Sequence, residues 1–262
     1  MTLSLTGYTV GANQALTRAR ILYAPITGTV TATGTNGSLA TNDYPAQRWT
    51  PAAGSSNWTI QTAANASVDC CFIAAHNLAG KTVLIQTATA VGGPYTTRAT
   101  IVPADNSTIC ALFNTTAGNP YTIREMRINV SDGTGVTVGI IRFGVALQMS
   151  QSIMGGHAPL QLNRATETRQ SLSETGNWLG RTQQARRLQT SYAWTHLDDA
   201  WYQANFEPFA QTLPLKPFGI VGNPLRMGGA DVGWCVTNDD PSPSYAMLNL
   251  MSVSLTVQGL WQ

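Results

Sequence analysis

The sequence carries few charged residues for its length. Of 262 residues, 15 are Lys or Arg and 13 are Asp or Glu, which is about half the charged fraction of an average globular protein. The formal net charge of +2 is too small to drive binding to nucleic acid or to an anionic membrane surface. Much of the surface must therefore be uncharged and polar, a composition that suits packing against other subunits.

Residues typical of catalytic and metal centres are also scarce. The three His residues have no partner at metal-ligand spacing, and the four Cys residues contain no Cys-x-x-Cys pair. No nucleophile elbow, phosphate-cradling loop or dinucleotide fingerprint occurs. We therefore predict no catalytic residue, no cofactor and no metal, and four reduced, buried cysteines. An envelope-degrading glycosidase, which would need two carboxylates facing each other across a cleft, is the least favoured class.

Long hydrophobic runs are missing as well. No run reaches the ~18 apolar residues of a membrane-spanning helix, and the first residues lack the basic start and apolar stretch of a secretory signal. The sequence therefore predicts synthesis in the cytoplasm without membrane insertion. Hydrophobic residues nevertheless make up 43% of the chain, which is enough for a substantial core.

The clearest structural signal is the apolar run from Val68 to Ala75. It ends at His76-Asn77, and its length and continuity predict a strand covered on both faces. Further short apolar segments, separated by Gly, Pro, Asn and Asp, predict an antiparallel β-sandwich over residues 1–150. Within it, 121–130 and 136–149 are predicted to pair as a hairpin around Ser131.

Residues 150–159 are predicted to be a linker, and 151–262 an α+β domain. Thr195 to Asp198 has the form of a capping box, so a helix is expected to begin near His196 and to kink at Pro208. The closing segment alternates strictly, which predicts a strand with one apolar face. The residues of that face are Met251, Val253, Leu255 and Val257.

Arginine dominates the cations, with 13 of the 15. Five of them lie in 164–187, a stretch with little hydrophobic pattern, and they are predicted to contact a neighbouring subunit, since Arg favours fixed, bidentate contacts. We expect this segment to become ordered only against that neighbour. The five residues are Arg164, Arg169, Arg181, Arg186 and Arg187.

Carbohydrate binding is the alternative function. Trp49 and Tyr95 are candidates for stacking on sugar rings, and His76 is a third candidate contact. The opposite interpretation, in which the aromatic residues are core or interface residues and His76 satisfies nearby backbone groups, stays open at this point.

Several segments resemble proteins of tailed bacteriophages. Residues 44–51, 68–78, 125–130 and 141–147 resemble the galactose-binding (discoidin-like) jelly roll appended to phage tail proteins, over residues 1–150. In the second half, Trp178 to Arg181, the helix up to Phe209, Pro217-Phe218 and the closing strand resemble minor tail and distal-tail proteins built on the tail-tube fold. The order of the two parts is the reverse of that usual in distal-tail proteins.

The resemblance implies a non-enzymatic structural protein of a phage tail tip or baseplate, located in the virion and made in the host cytoplasm. Its implied partners are copies of itself in a ring or other tail proteins, and it would also display adhesion modules. The alternative under the same resemblance is a receptor-binding, lectin-like tail protein that binds host surface glycans.

Overall fold

The computed structural model describes residues 2–12, 14–226 and 229–261. Three β-sheets and the helical segment 199–210 form four stacked layers, and two short 3-10 helices, Gly37–Thr41 and Leu160–Leu162, lie in connecting segments. The strands, in chain order, are β1 (Thr2–Ser4), β2 (Arg18–Leu22), β3 (Thr29–Ala32), β4 (Ser56–Val68), β5 (Cys70–His76), β6 (Val83–Ala88), β7 (Thr96–Ile101), β8 (Ile109–Leu112), β9 (Tyr121–Val130), β10 (Val138–Gly144), β11 (Leu147–Ser152), β12 (Arg164–Leu172), β13 (Trp178–Asp198), β14 (Phe218–Val221), β15 (Val232–Val236), β16 (Ser244–Met247) and β17 (Leu250–Gly259).

The first two sheets form a β-sandwich. The middle sheet has the strand order β1-β8-β5-β10 and the outer sheet the order β3-β4-β9-β6-β7. Apart from β1 on β8, every pair in them is antiparallel. Trp58 and Ile85 of the outer sheet meet Ile73 of the middle sheet in the core between them. The predicted N-terminal sandwich is therefore present.

Strand β5 lies at the centre of the stack, and all seven of its residues are buried. Cys71 and Ile73 point into the sandwich core, whereas Cys70 and Phe72 point into a second core on the opposite side. This is the predicted strand covered on both faces, and it explains why the sequence there shows no polar alternation.

The third sheet covers the back of the middle sheet. Its strand order is β11-β2-β14-β15-β17-β13-β12, with β16 added on β17. Leu22, Val221 and Trp234 of this sheet pack on Phe72 and its neighbours. Strand β2 comes from the first 150 residues and β11 runs across residue 150, so the predicted boundary at residue 150 does not coincide with the boundary between sheets.

A short helical segment covers the outer face of the third sheet. It consists of α1 (Asp199–Trp201), a π-helical turn (Tyr202–Phe206) and α2 (Glu207–Ala210). The capping residue is Asp198, which accepts a hydrogen bond from the Trp201 backbone at 2.9 Å, so the helix begins later than predicted. Because β13 stays paired with β17 as far as Asp198, His196 lies in a bulged strand with a φ of 58°.

Two further predictions concern pairing and thiols. Strands β9 and β10 do not form the predicted hairpin, because β9 pairs with β4 and β6 in the outer sheet and β10 pairs with β5 in the middle sheet. The turn after Ser131 therefore crosses between layers, and β10 is buried on both faces. All four cysteines are buried, free thiols, as predicted.

Candidate functional site

The most conspicuous surface feature is a two-stranded arm, defined here as residues 164–187. Strand β12 pairs with the first part of β13 from Arg164↔Leu188 to Leu172↔Trp178. Almost every arm residue is exposed, and burial begins only at Leu188. At about 3.3 Å per residue the arm extends roughly 25 Å beyond the core. The segment is therefore a hairpin within the single chain, although no pattern in the sequence predicts paired strands there.

The tip of the arm is apolar. The turn closes through the Ser173 backbone, which donates to the Asn177 carbonyl at 2.8 Å, with Gly176 at a φ of 81°. Next to this turn, Leu172 is 51%, Trp178 81% and Leu179 70% exposed. Large apolar side chains clustered at the end of a solvated hairpin are typical of a contact surface.

The five predicted interface arginines are distributed along the arm. At its base, the Arg164 and Arg186 guanidinium carbons lie 5.2 and 4.3 Å from the Trp261 ring centroid. Arg187 forms an ion pair with Glu167 across the ladder.

Towards the tip, Arg181 donates to the Thr168 hydroxyl at 3.1 Å. Arg169 is paired with Thr182 in the ladder, and its side chain is exposed. Because Arg169 and Arg181 lie nearest the tip, they are the cations best placed for a partner.

A second surface feature is a groove at the other end of β13. It has a volume of about 480 Å3 and lies between the helical segment and the loop before β16. Its lining residues are Tyr202, Glu207, Ala210, Gln211, Leu213, Asp240, Pro241 and Pro243. These described lining residues include two carboxylates and no Lys or Arg, so the groove is acidic and only partly apolar. We call it the acidic groove.

Two of the three predicted carbohydrate contacts are held within the protein. Trp49 is fully buried, and its indole donates to the Thr33 carbonyl at 2.9 Å, so neither ring face is open to a ligand. The Tyr95 ring is covered by the Arg127 guanidinium, 3.6 Å from the ring centroid. Its hydroxyl donates to the buried Glu125 carboxylate at 2.5 Å. Burial, together with that carboxylate, raises the pKa of Tyr95.

The third predicted contact, His76, forms part of a cleft wall. Burial lowers its pKa to about 4. One ring nitrogen lies 3.0 Å from the Ser107 carbonyl, and the other accepts from the Leu78 backbone at 3.2 Å. His76 is therefore a neutral wall residue whose nitrogens are engaged by the protein itself.

The cleft beside His76 is open to solvent and has a volume of about 430 Å3. Trp261, which is 37% exposed, lies on one side of it. Arg48, Asn77 and Asn106 supply guanidinium and amide groups around it. An aromatic ring beside planar polar groups is an arrangement that can bind a sugar. No local pattern singles out Trp261, because only the fold brings the end of the chain beside these loops.

No local pattern in the sequence predicts a polar cluster around the buried carboxylate of Asp231. The His157 Nε2 atom lies 3.4 Å from the Asp231 carboxylate, and Arg226 lies 3.6 Å from the same carboxylate. Asp231 also accepts from the Leu160 backbone at 3.2 Å. The cluster connects the segment predicted to be a linker to the loop before β15, so its role is to fix these two loops.

The described residues contain neither a metal cluster nor a membrane-spanning helix. Across 2–12, 14–226 and 229–261, no group of three or more His, Cys, Asp or Glu is arranged to hold a metal ion. None of the helices in this part of the chain is long and apolar enough to cross a membrane.

Comparison with known proteins gives a likeness in fold only. No family model matches the chain, and no curated protein matches it. Among solved structures, a chitosan-binding module from a Paenibacillus chitosanase/glucanase is 17% identical, with a TM-score of 0.39, over 45% of this chain and 96% of that one. The CBM62 module of Clostridium thermocellum Xyl5A is 16% identical, with a TM-score of 0.38, over 47% and 99%.

A family 32 carbohydrate-binding module from C. perfringens NanJ, solved with galactose, is 15% identical, with a TM-score of 0.36, over 44% of this chain and 91% of that one. These three structures are carbohydrate-binding modules and not phage proteins.

Proposed function

We propose that this protein is a non-enzymatic structural subunit of a larger assembly, and that the arm is the element by which it assembles. The observation that carries the proposal is the arm itself, a complete β-ladder with no core beneath it and an apolar tip. Exposing Trp178 and Leu179 costs free energy unless a partner covers them, because large apolar surface is stabilised by burial.

The distribution of exposed apolar side chains supports the same proposal. Of the 17 large hydrophobic residues that are exposed in the described part of the chain, 12 lie after residue 150. The most exposed include Leu215 at 88% and Leu248 at 90%. The second half therefore offers the surface suited to subunit contacts, whereas none of these 17 residues lies in a strand of the outer sheet. The sequence resemblance extends this proposal: the assembly would be a phage tail tip or baseplate, and the second half of the chain would be tail-tube-like.

The experiment compares the full chain with Trp178→Ser/Leu179→Ser by light scattering and by pull-down against isolated virion or host-lysate assemblies. We expect the wild type to self-associate or to enter a particle, and the variant to stay monomeric with an unchanged melting temperature. Thr96→Ser/Thr100→Ser, on the exposed side of β7, is the matched control. Assembly of the arm variant at wild-type affinity would contradict the proposal.

A second candidate function is glycan binding, and the cleft with Trp261 is the observation that favours it. Arg164 and Arg186 lie over the Trp261 ring, so its exposed part is the surface available to pack on the C–H face of a sugar, while Arg48 and Asn106 line the same cleft. A glycan array with the full protein and with Trp261→Ala tests it. Binding that is lost in the variant would support this function. No binding, or binding that the substitution leaves unchanged, would reject the cleft as a glycan site.

A further inference from the structure

We infer that the acidic groove of one copy receives the arm tip of a second copy. This inference rests on the proposed assembly role and names the partner surface. The groove lining includes the buried Tyr202 and Leu213, the more exposed Ala210, Pro241 and Pro243, and the carboxylates of Glu207 and Asp240. The groove volume of about 480 Å3 is open to solvent, so side chains of a second molecule can reach it.

The chemistry of the two surfaces is complementary. The arm contains five Arg and two Glu, and the groove contains two carboxylates without a cation among its described lining residues. Trp178 and Leu179 at the tip match the apolar part of the groove, while Arg169 and Arg181 lie within a few residues of them. Arginine forks bind carboxylates bidentately, so such a contact is both apolar and charge-assisted.

The groove cannot be occupied by the arm of the same copy. Strand β13 runs without interruption from Trp178 at the tip to Asp198, and the helical segment that forms the groove begins at Asp199. The extended chain of β13 separates the two ends by on the order of 60 Å. Since the arm is a paired ladder that points away from the helical segment, only a second molecule can bring a tip to the groove.

The arm tip and the groove are different surfaces at opposite ends of one strand, so every copy offers one donor and one acceptor. Such a contact produces either a reciprocal dimer or a head-to-tail ring or filament. Because every copy carries the groove, a second copy of this protein offers the surface that can bury the arm tip of the first.

Cysteine cross-linking tests the contact directly. Thr175→Cys at the tip and Gln211→Cys in the groove are prepared as separate proteins and mixed with a short bismaleimide. The natural thiols are buried and, because burial raises the pKa of Cys235 and the other three, they should not react. We expect a covalent heterodimer from the mixture, and none when Thr100→Cys replaces the groove variant.

Charge reversal provides the second measurement. Arg169→Glu/Arg181→Glu and Glu207→Lys/Asp240→Lys should each weaken self-association about tenfold or more, and mixing the two variants should restore association between them. Absence of both the cross-link and the restoration would overturn the inference. The proposed assembly role would still stand if Trp178→Ser/Leu179→Ser abolished association with some other partner. If that variant assembled normally, the assembly role itself would be contradicted.

Discussion

Gly219 is where the stacking of the third sheet on the middle sheet can be tested most sharply. A Cβ atom at this position in β14 would lie 2.6 Å from the Cγ atom of the Phe72 ring. Phe72 is fully buried, and the Trp234 ring lies 6.3 Å from it, centroid to centroid. The ring therefore has little room to move away. Gly219→Ala forces an overlap between the two layers.

The expected cost follows from overpacking, which destabilises a well-packed core by about 1–3 kcal/mol. For a chain of this size that corresponds to a melting temperature lower by roughly 2–12 °C. Urea unfolding followed by tryptophan fluorescence measures the change. Gly180→Ala is the matched control, because Gly180 is also in a strand and has nothing within 4 Å of the position that a Cβ atom would occupy. The control should be neutral or slightly stabilising.

Phe72→Leu tests the same contact from the other side. Alone it should destabilise by creating a cavity, but combined with Gly219→Ala it should cost less than the sum of the two single changes. Additive costs, or a Gly219→Ala protein as stable as the Gly180→Ala control, would show that the third sheet does not lie on Phe72.

Three further predictions concern the closing strand, a buried carboxyl and the thiols. Leu255→Asp buries an unpaired charge in the core under the helical segment, so the protein should be insoluble or molten, and a soluble variant with a cooperative melt would contradict the placement of β17. Burial raises the pKa of Asp69 to about 6, so the folded state retains its proton above the unfolded pKa, and stability falls as pH rises from about 4 to about 6. Asp69→Asn should remove that slope, gaining up to about 3 kcal/mol relative to wild type across this window in urea titrations; an equal slope in both proteins would refute the argument. Mass spectrometry of unreduced protein should show no disulfide, and reductant should leave the melting temperature unchanged.

Local sequence pattern predicts the structure correctly where the burial of a single strand, or of one face of a strand, is in question. The unbroken apolar run at 68–75 predicted a strand buried on both sides, and strict alternation predicted the apolar face of the closing strand. Both signals are local, because the side-chain period alone reports which faces are covered.

Long-range pairing was not predictable in the same way. The alternating segments 121–130 and 136–149 look like hairpin partners, yet Met126 and Ile141 face each other across the sandwich core from different sheets. No local sequence pattern predicts that β2 and β11 pair within the third sheet. No local pattern predicts the arm, because both its faces are solvated and its strands carry no hydrophobic alternation.

The candidate sites show the same limit. Trp49 lies among turn-forming residues that suggest exposure, but its ring fills the sandwich core. Trp261 and the acidic groove depend on residues far apart in the sequence, which only the fold brings together. The concentration of Arg in 164–187 was a readable signal, although the structure that presents these residues was not.

Hydrogen exchange of the arm is the most direct test of the central claim that residues 164–187 are an assembly element. In the free protein the ladder has almost no apolar contacts beneath it, so it should open at little cost in free energy and its amides should exchange rapidly. In the assembled state, burial of Trp178 and Leu179 should slow exchange across the arm while β5 stays protected in both states. Equal exchange of the arm in the free and assembled protein would contradict the account.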